Sequence, residues 1–174
     1  VVTAGSEVDE LAATFREEGD DYSAIIVQAL GDRLAEATAE YLHKIMRDQC
    51  GFGKDEGLTA GTAIDAEQAK FLIKEKYLGI RPAAGYPSCP DHSEKVALWK
   101  LLDAEVKTGA TLTTSCAMKP ASTVSGYYLN HKGAKYFNLG LIEKDQVNDY
   151  AKRKNISLSE AEKWLRPHLG YDED

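Results

Sequence analysis

Cysteine is scarce. Cys50, Cys89 and Cys116 are the only three in 174 residues, and an odd, small set does not build a disulfide framework. Reduced thiols, and with them a cytoplasmic location, are the simplest expectation. No apolar run approaches the roughly 20 residues that cross a bilayer, so no membrane partner is expected. The opening Val1-Val2-Thr3-Ala4-Gly5 has neither the basic flank nor the long apolar stretch of a secretory signal. Positive charge is in deficit: 21 Lys and Arg stand against 28 Asp and Glu, a net charge of −7. That balance speaks against general nucleic-acid binding, which needs a basic surface to displace counterions. A cationic ligand or a basic protein patch suits it better. No glycine-rich phosphate loop follows a strand, and there is no nucleophile-elbow motif. Cys89-Pro90-Asp91-His92 lacks a second Cys/His pair at zinc-site spacing, so no metal is expected.

What is present is ordinary for a globular chain, with 43% hydrophobic and 28% charged residues. The length suits one domain with a sizeable core. Val1–Ala4 reads as the end of a strand, and the chain as a piece of a longer polypeptide. Ser6 is placed to cap a short helix that Gly19 ends. Asp20 or Asp21 caps a long helix to about Arg47. Its apolar positions Ile26, Leu30, Leu34, Ala37, Tyr41 and Ile45 recur at three- and four-residue spacing and predict a buried stripe. Residues 50–63, with four glycines, predict a mobile loop.

A helix follows over about 65–77, with Phe71 and Leu72 inward. Three prolines within 81–90 force an extended or turning backbone there. Another helix covers about 94–107, closed by Gly109. Residues 111–118 and 123–129 have strand-favouring composition, 130–133 suit a hairpin turn, and 135–142 return as a strand. Two helices finish the chain, over about 145–154 and from the Ser157/Glu160 capping pattern through Leu165. The sum is an α+β fold, with a small twisted antiparallel sheet and several helices, one of them long.

Three stretches say more. The first runs Gly79-Ile80-Arg81-Pro82-Ala83-Ala84-Gly85-Tyr86-Pro87-Ser88-Cys89-Pro90-Asp91-His92-Ser93-Glu94-Lys95. The second is Asp32-Arg33-Leu34-Ala35-Glu36-Ala37, continuing to Ala39-Glu40-Tyr41-Leu42-His43. The third is Val124-Ser125-Gly126-Tyr127-Tyr128, followed by Lys135-Tyr136-Phe137 and Asp145-Gln146-Val147. Together with the tail from Trp164 to Asp172, they resemble, in order, the activation domain of cobalamin-dependent methionine synthase. The likeness runs from about Val1 to Asp174, with its main break at residues 50–63. The family's domain is considerably longer on the N-terminal side, so residues 1–174 correspond to its C-terminal part.

The resemblance implies that the chain binds S-adenosylmethionine and docks on the cobalamin-binding domain of the same enzyme. There, inactive cob(II)alamin is reductively remethylated, with the electron coming from a flavodoxin-like protein or a flavoprotein reductase. It implies a cofactor site of Arg81, the Ala83–Tyr86 backbone including Ala83 and Gly85, the Tyr86 side chain, Tyr136 and Phe137. Glu36 and Glu75 match acids near the sulfonium. From the residues alone, Arg81 suits a carboxylate because its planar fork matches that geometry, yet a surface ion pair beside a turn is the simpler reading. Tyr86 reads equally as a half-buried core aromatic. Asp32, Glu36 and Glu40, four apart on one helix face, read as a solvated charged face with partners such as Arg33 and Lys44. If residues 135–142 form a strand, Tyr136 and Phe137 face opposite sides, and Tyr136 is the expected ligand-facing member. A second functional class stays open, a non-catalytic acidic module that binds a basic partner.

Overall fold

The computed structural model describes residues 1–58 and 63–172. A first strand, β1 (Val2–Thr3), leads into helix α1 (Glu7–Glu17). Ser6 sits at the cap position of α1, but its side chain makes no capping bond. Gly19, at φ +79°, turns the chain into α2 (Asp21–Gln49), which packs against α1. Asp20 caps α2 by accepting from the Ser23 amide at 2.9 Å.

The buried face of α2 is not the expected one. Ala24, Gly31, Ala35, Ala39, His43 and Arg47 point inward, while Ile26, Leu30, Leu34 and Tyr41 are 43–61% exposed. Ala37 is exposed as well, and Ile45 is half-buried. The reason is the closeness of the neighbours. A Cβ on Gly31 would stand 2.6 Å from both Val8 Cγ1 and Ser122 Oγ, a gap only glycine allows. Both faces repeat at helical spacing, so periodicity could not choose between them.

The segment after α2 is held to the end of that helix by several hydrogen bonds. The amides of Phe52 and Gly53 both donate to Arg47 O at 2.9 Å. A 3₁₀ turn, Lys54–Glu56, brings Glu56 Oε1 to 2.7 Å from Arg47 Nε. Residues 59–62 of the expected loop lie outside the described residues. Helix α3 (Ala66–Ile73) opens with an Asp65/Gln68 capping box and ends short of the expected Tyr77. Leu72 and Tyr77 bury with Leu58, and Phe71 packs against them.

One expected helix is two, α4 (Glu94–Leu102) and α5 (Ala104–Thr108), broken where Asp103 turns left-handed at φ +52°. Leu98, Trp99, Ala104 and Ala110 form a core there. Trp99 Nε1 donates to Ala110 O at 2.7 Å. Residues 111–118 are likewise not one strand. β2 (Thr111–Leu112) pairs antiparallel with β3 (Met118–Lys119) through a tight turn in which Cys116 has φ +59°. β4 (Thr123–Val124) pairs antiparallel with β1, Val2 opposite Val124.

The chain beyond β4 follows the proline segment without forming a strand. Tyr127 N donates to Pro82 O at 3.0 Å, and Leu129 exchanges amide bonds with Ile80. Residues 135–142 show the same composition without the pairing, since only Ile142 bridges, in parallel, to Leu169. Strand propensity needs a partner edge to act. Helices α6 (Lys144–Lys154) and α7 (Leu158–Leu165) close the fold around Ile142, Val147, Ala151, Ala161 and Leu165. Ser157 caps α7 by accepting from Glu160 N at 3.1 Å. The fold is α+β, largely helical, with its antiparallel strands in two small pairs.

Candidate functional site

A cleft of about 870 Å³ opens between α2, the proline segment and the chain that runs on from β4. Each wall has a local cause. On α2, small residues Ala35 and Ala39 lie at the cleft floor, with Asp32 and Glu36 one turn apart on its flank. The proline segment forms no helix and turns at Ala84–Gly85 and Pro87–Ser88, while its Pro82 oxygen takes the Tyr127 amide and ties it to the chain after β4. Gly126 lets that third wall approach, because a Cβ there would stand 2.6 Å from Pro82 O.

Six of the eight residues expected at a cofactor site line this cleft: Glu36, Arg81, Ala83, Tyr86, Tyr136 and Phe137. Because 135–142 is not a strand, alternation does not separate Tyr136 from Phe137, and both border the cleft while half exposed. The Tyr136 hydroxyl also accepts from the Arg81 amide at 3.0 Å. Gly85 is not among the lining residues. It makes the turn that presents Tyr86, donating from its amide to Cys89 O at 2.8 Å. At φ +99° a Cβ on Gly85 would fall 2.0 Å from the His92 ring, so only glycine fits. Glu75 also stands outside the lining. Its carboxylate pairs with Arg81 Nη2 at 3.1 Å, from a backbone at φ +48°.

Sequence reasoning left out the groups around Arg81. Glu40 Oε2 lies 2.6 Å from Nη1. The Tyr77 hydroxyl accepts from the same nitrogen and donates to Glu40 at 3.0 Å. Burial alone would weaken the Arg81 cation, but Glu40, Tyr77 and Glu75 outweigh it and push its pKa up. Burial also pushes the Glu40 carboxyl up, against the pull of Arg81. The signal for Glu40 was its place one helical turn beyond Glu36. Tyr77 gave none, because it was expected inside a helix.

Beneath this cage lies a buried aromatic layer. His43 is fully buried, stacked on Tyr128 at 4.8 Å and edge-on to Tyr77 at 5.2 Å. Its Nε2 donates to Asn130 Oδ1 at 3.0 Å, which sets the neutral tautomer. Burial, then the nearby Arg47 charge, lowers its pKa to about 4. The Arg47 guanidinium sits 3.7 Å from the Tyr77 ring centre.

At the far wall, His92 and Lys95 also border the cleft. Lys95 Nζ is 2.9 Å from His92 Nδ1 and 3.1 Å from Cys116 O. Nearby, Asp91 is buried and receives Tyr150, Lys154 and the Ser93 amide. Burial alone would raise its carboxyl, yet those hydrogen bonds hold it below the usual range. This cluster anchors the end of the proline segment to α6. Among the described residues, no group of three or more His, Cys, Asp or Glu stands ready to hold a metal ion.

The arrangement offers a fixed guanidinium, a carboxylate flank and several aromatic rings. That set fits a ligand with a carboxylate, a cationic centre and a flat heterocycle. The family model for the activation domain of vitamin B12 dependent methionine synthase matches residues 1–155. The chain belongs to that family. A crystal structure of the MetH reactivation domain bound to AdoHcy is similar to it, at 47% identity and a TM-score of 0.85. That likeness covers 98% of this chain and 50% of the solved one, so the chain spans half the length of its relative. The stretch of the activation-domain chain beyond the family match, 156–174, holds α7 and its packing on α6.

Proposed function

We propose that the cleft binds S-adenosylmethionine and presents its methyl group to cobalamin held by the cobalamin-binding domain of the same enzyme. Arg81 takes the ligand's carboxylate, since its fork is charged and held in place. Glu36, on the α2 flank, faces the sulfonium and favours the cation. Glu75 acts from behind Arg81, not at the sulfonium. The Ala83–Tyr86 backbone reads the adenine edge, with Tyr86, Tyr136 and Phe137 packing on the ligand's flat surfaces. The cofactors would supply the chemistry: cobalamin, held by its own domain and reduced by one electron from a flavodoxin-like protein or flavoprotein reductase, would accept the methyl group of S-adenosylmethionine and leave S-adenosylhomocysteine. The protein's part is positioning and electrostatics.

The observation that carries the reading is convergence. Glu36, Arg81, Ala83, Tyr86, Tyr136 and Phe137 come from distant parts of the chain and border one cleft. A similar structure at 47% identity is of a domain bound to AdoHcy, a ligand with the same carboxylate and adenosine. Calorimetry with S-adenosylmethionine on the complete protein tests it. Arg81→Ala is expected to weaken binding by about 2–5 kcal/mol, the cost of truncating one partner of a buried charge pair. Arg81→Lys should also bind poorly, because a point charge does not replace the planar fork. An unchanged dissociation constant in Arg81→Ala would remove Arg81 from the site.

A further inference from the structure

The Arg81 guanidinium has two distinct sides. Nη1 is committed to the protein, between Glu40 Oε2 at 2.6 Å and the Tyr77 hydroxyl. Nη2 makes one ion pair, with the more exposed Glu75. A guanidinium carries five N–H donors, so the side formed by Nη2 and Nε retains donors for a further acceptor. Tyr77 binds both members of the inner pair at once, accepting from Arg81 and donating to Glu40. Tyr77 is held in turn: its ring is buried with Leu58 and Leu72, beneath the Arg47 guanidinium at 3.7 Å. Glu40 comes from rigid α2, one turn beyond Glu36 in the cleft wall. An arginine on an irregular segment would otherwise keep most of its rotamer freedom, which binding must then remove.

We infer that Glu40 and Tyr77 are positioning residues for Arg81: they clamp Nη1 so that the opposite edge of the fork is presented to the carboxylate of the S-adenosyl ligand. This rests on the ligand assignment above and assigns the cage a role in selecting ligands with an amino-acid end. The clamp touches no ligand atom. Its effect therefore depends on whether the ligand has a carboxylate, which a purely structural role would not.

The test uses the complete protein and two ligands, S-adenosylhomocysteine and 5′-methylthioadenosine. They share the adenosine and a thioether, and only the first has an amino-acid end. Glu40→Gln keeps the shape and removes the charge; Tyr77→Phe keeps the ring and removes the hydroxyl. Each is expected to weaken S-adenosylhomocysteine by about 10–100-fold, the scale of one charge-assisted hydrogen bond, and to leave methylthioadenosine within about twofold of wild type. If both variants keep the wild-type ratio of affinities, the clamp is overturned while the ligand assignment stands. Equal loss of both ligands in both variants also overturns it, because that is a damaged fold. A wild-type protein that binds methylthioadenosine as tightly as S-adenosylhomocysteine, or binds neither, sinks the assignment of Arg81 to the carboxylate and the clamp with it.

Discussion

Two carboxylates expected in one role occupy different places. Glu36 borders the cleft, whereas Glu75 turns to Arg81. A sulfonium attracts a carboxylate that faces it, and a neutral thioether does not. Glu36→Gln is therefore expected to weaken S-adenosylmethionine more than S-adenosylhomocysteine. Glu75→Gln should shift both ligands alike, since both carry the carboxylate proposed above to meet Arg81. Titrating each variant with the two ligands by calorimetry separates the roles. Equal losses in Glu36→Gln would place that acid in the fold or at the amino-acid end. The family resemblance put Glu36 at the site, whereas its spacing on the helix did not. Four-residue spacing also fits a solvated face, and only the approach of the proline segment decides between them.

At the scale of the element, α2 has two faces with opposite chemistry. The small-residue face is consumed by α1, β1 and β4. The other presents Tyr22, Ile25, Ile26, Leu30, Leu34 and Tyr41, each 43–75% exposed. A continuous apolar stripe of this kind seldom stays in water on a monomer. The 174-residue chain, prepared by itself, is therefore expected to self-associate. Replacing Leu30 and Leu34 with lysine should disperse it without touching the buried face. Sedimentation decides: a stable 19.1 kDa wild-type monomer at micromolar concentration overturns the expectation. The helix itself was readable from Asp20 and the apolar period. Its orientation was not, because Ala24, Gly31, Ala35 and Ala39 carry little hydrophobic signal yet permit the closest packing.

For the whole molecule, His43 is the knot. It joins α2, Tyr77 and the Tyr128–Asn130 stretch in one buried layer. Its folded pKa of about 4 lies below the ordinary imidazole value of 6.5, so the folded state favours neutral imidazole. Above about pH 6.5 this group costs nothing. As pH falls from there toward 4, the unfolded chain takes up a proton that the folded one refuses, and stability drops by roughly 3 kcal/mol. Urea midpoints at pH 7.5 and 4.5 should thus fall further apart in wild type than in His43→Gln. Parallel losses in the two would show that other groups carry the acid sensitivity.

Local chemistry by itself determined much of the chain. Caps at Asp20, Asp65 and Ser157 start helices because their side-chain oxygens satisfy free amides, whatever surrounds them. Prolines 82, 87 and 90 keep their segment out of helix through their own rings. The ordered string from Gly79 to Lys95 was specific enough to point to the family. Tertiary structure alone decided the rest. Strand-like residues at 135–142 pair only at Ile142, because no edge was offered to the rest. Asp103 split a continuous helical pattern. Arg81 acquired Glu40 and Tyr77, partners 41 and 4 residues away, because the fold brings α2 to the segment after α3. Caps and breakers act within a few residues, and so can be read in order along the chain. Which face is buried, and which charges meet, depends on surfaces that exist only once distant segments are packed together.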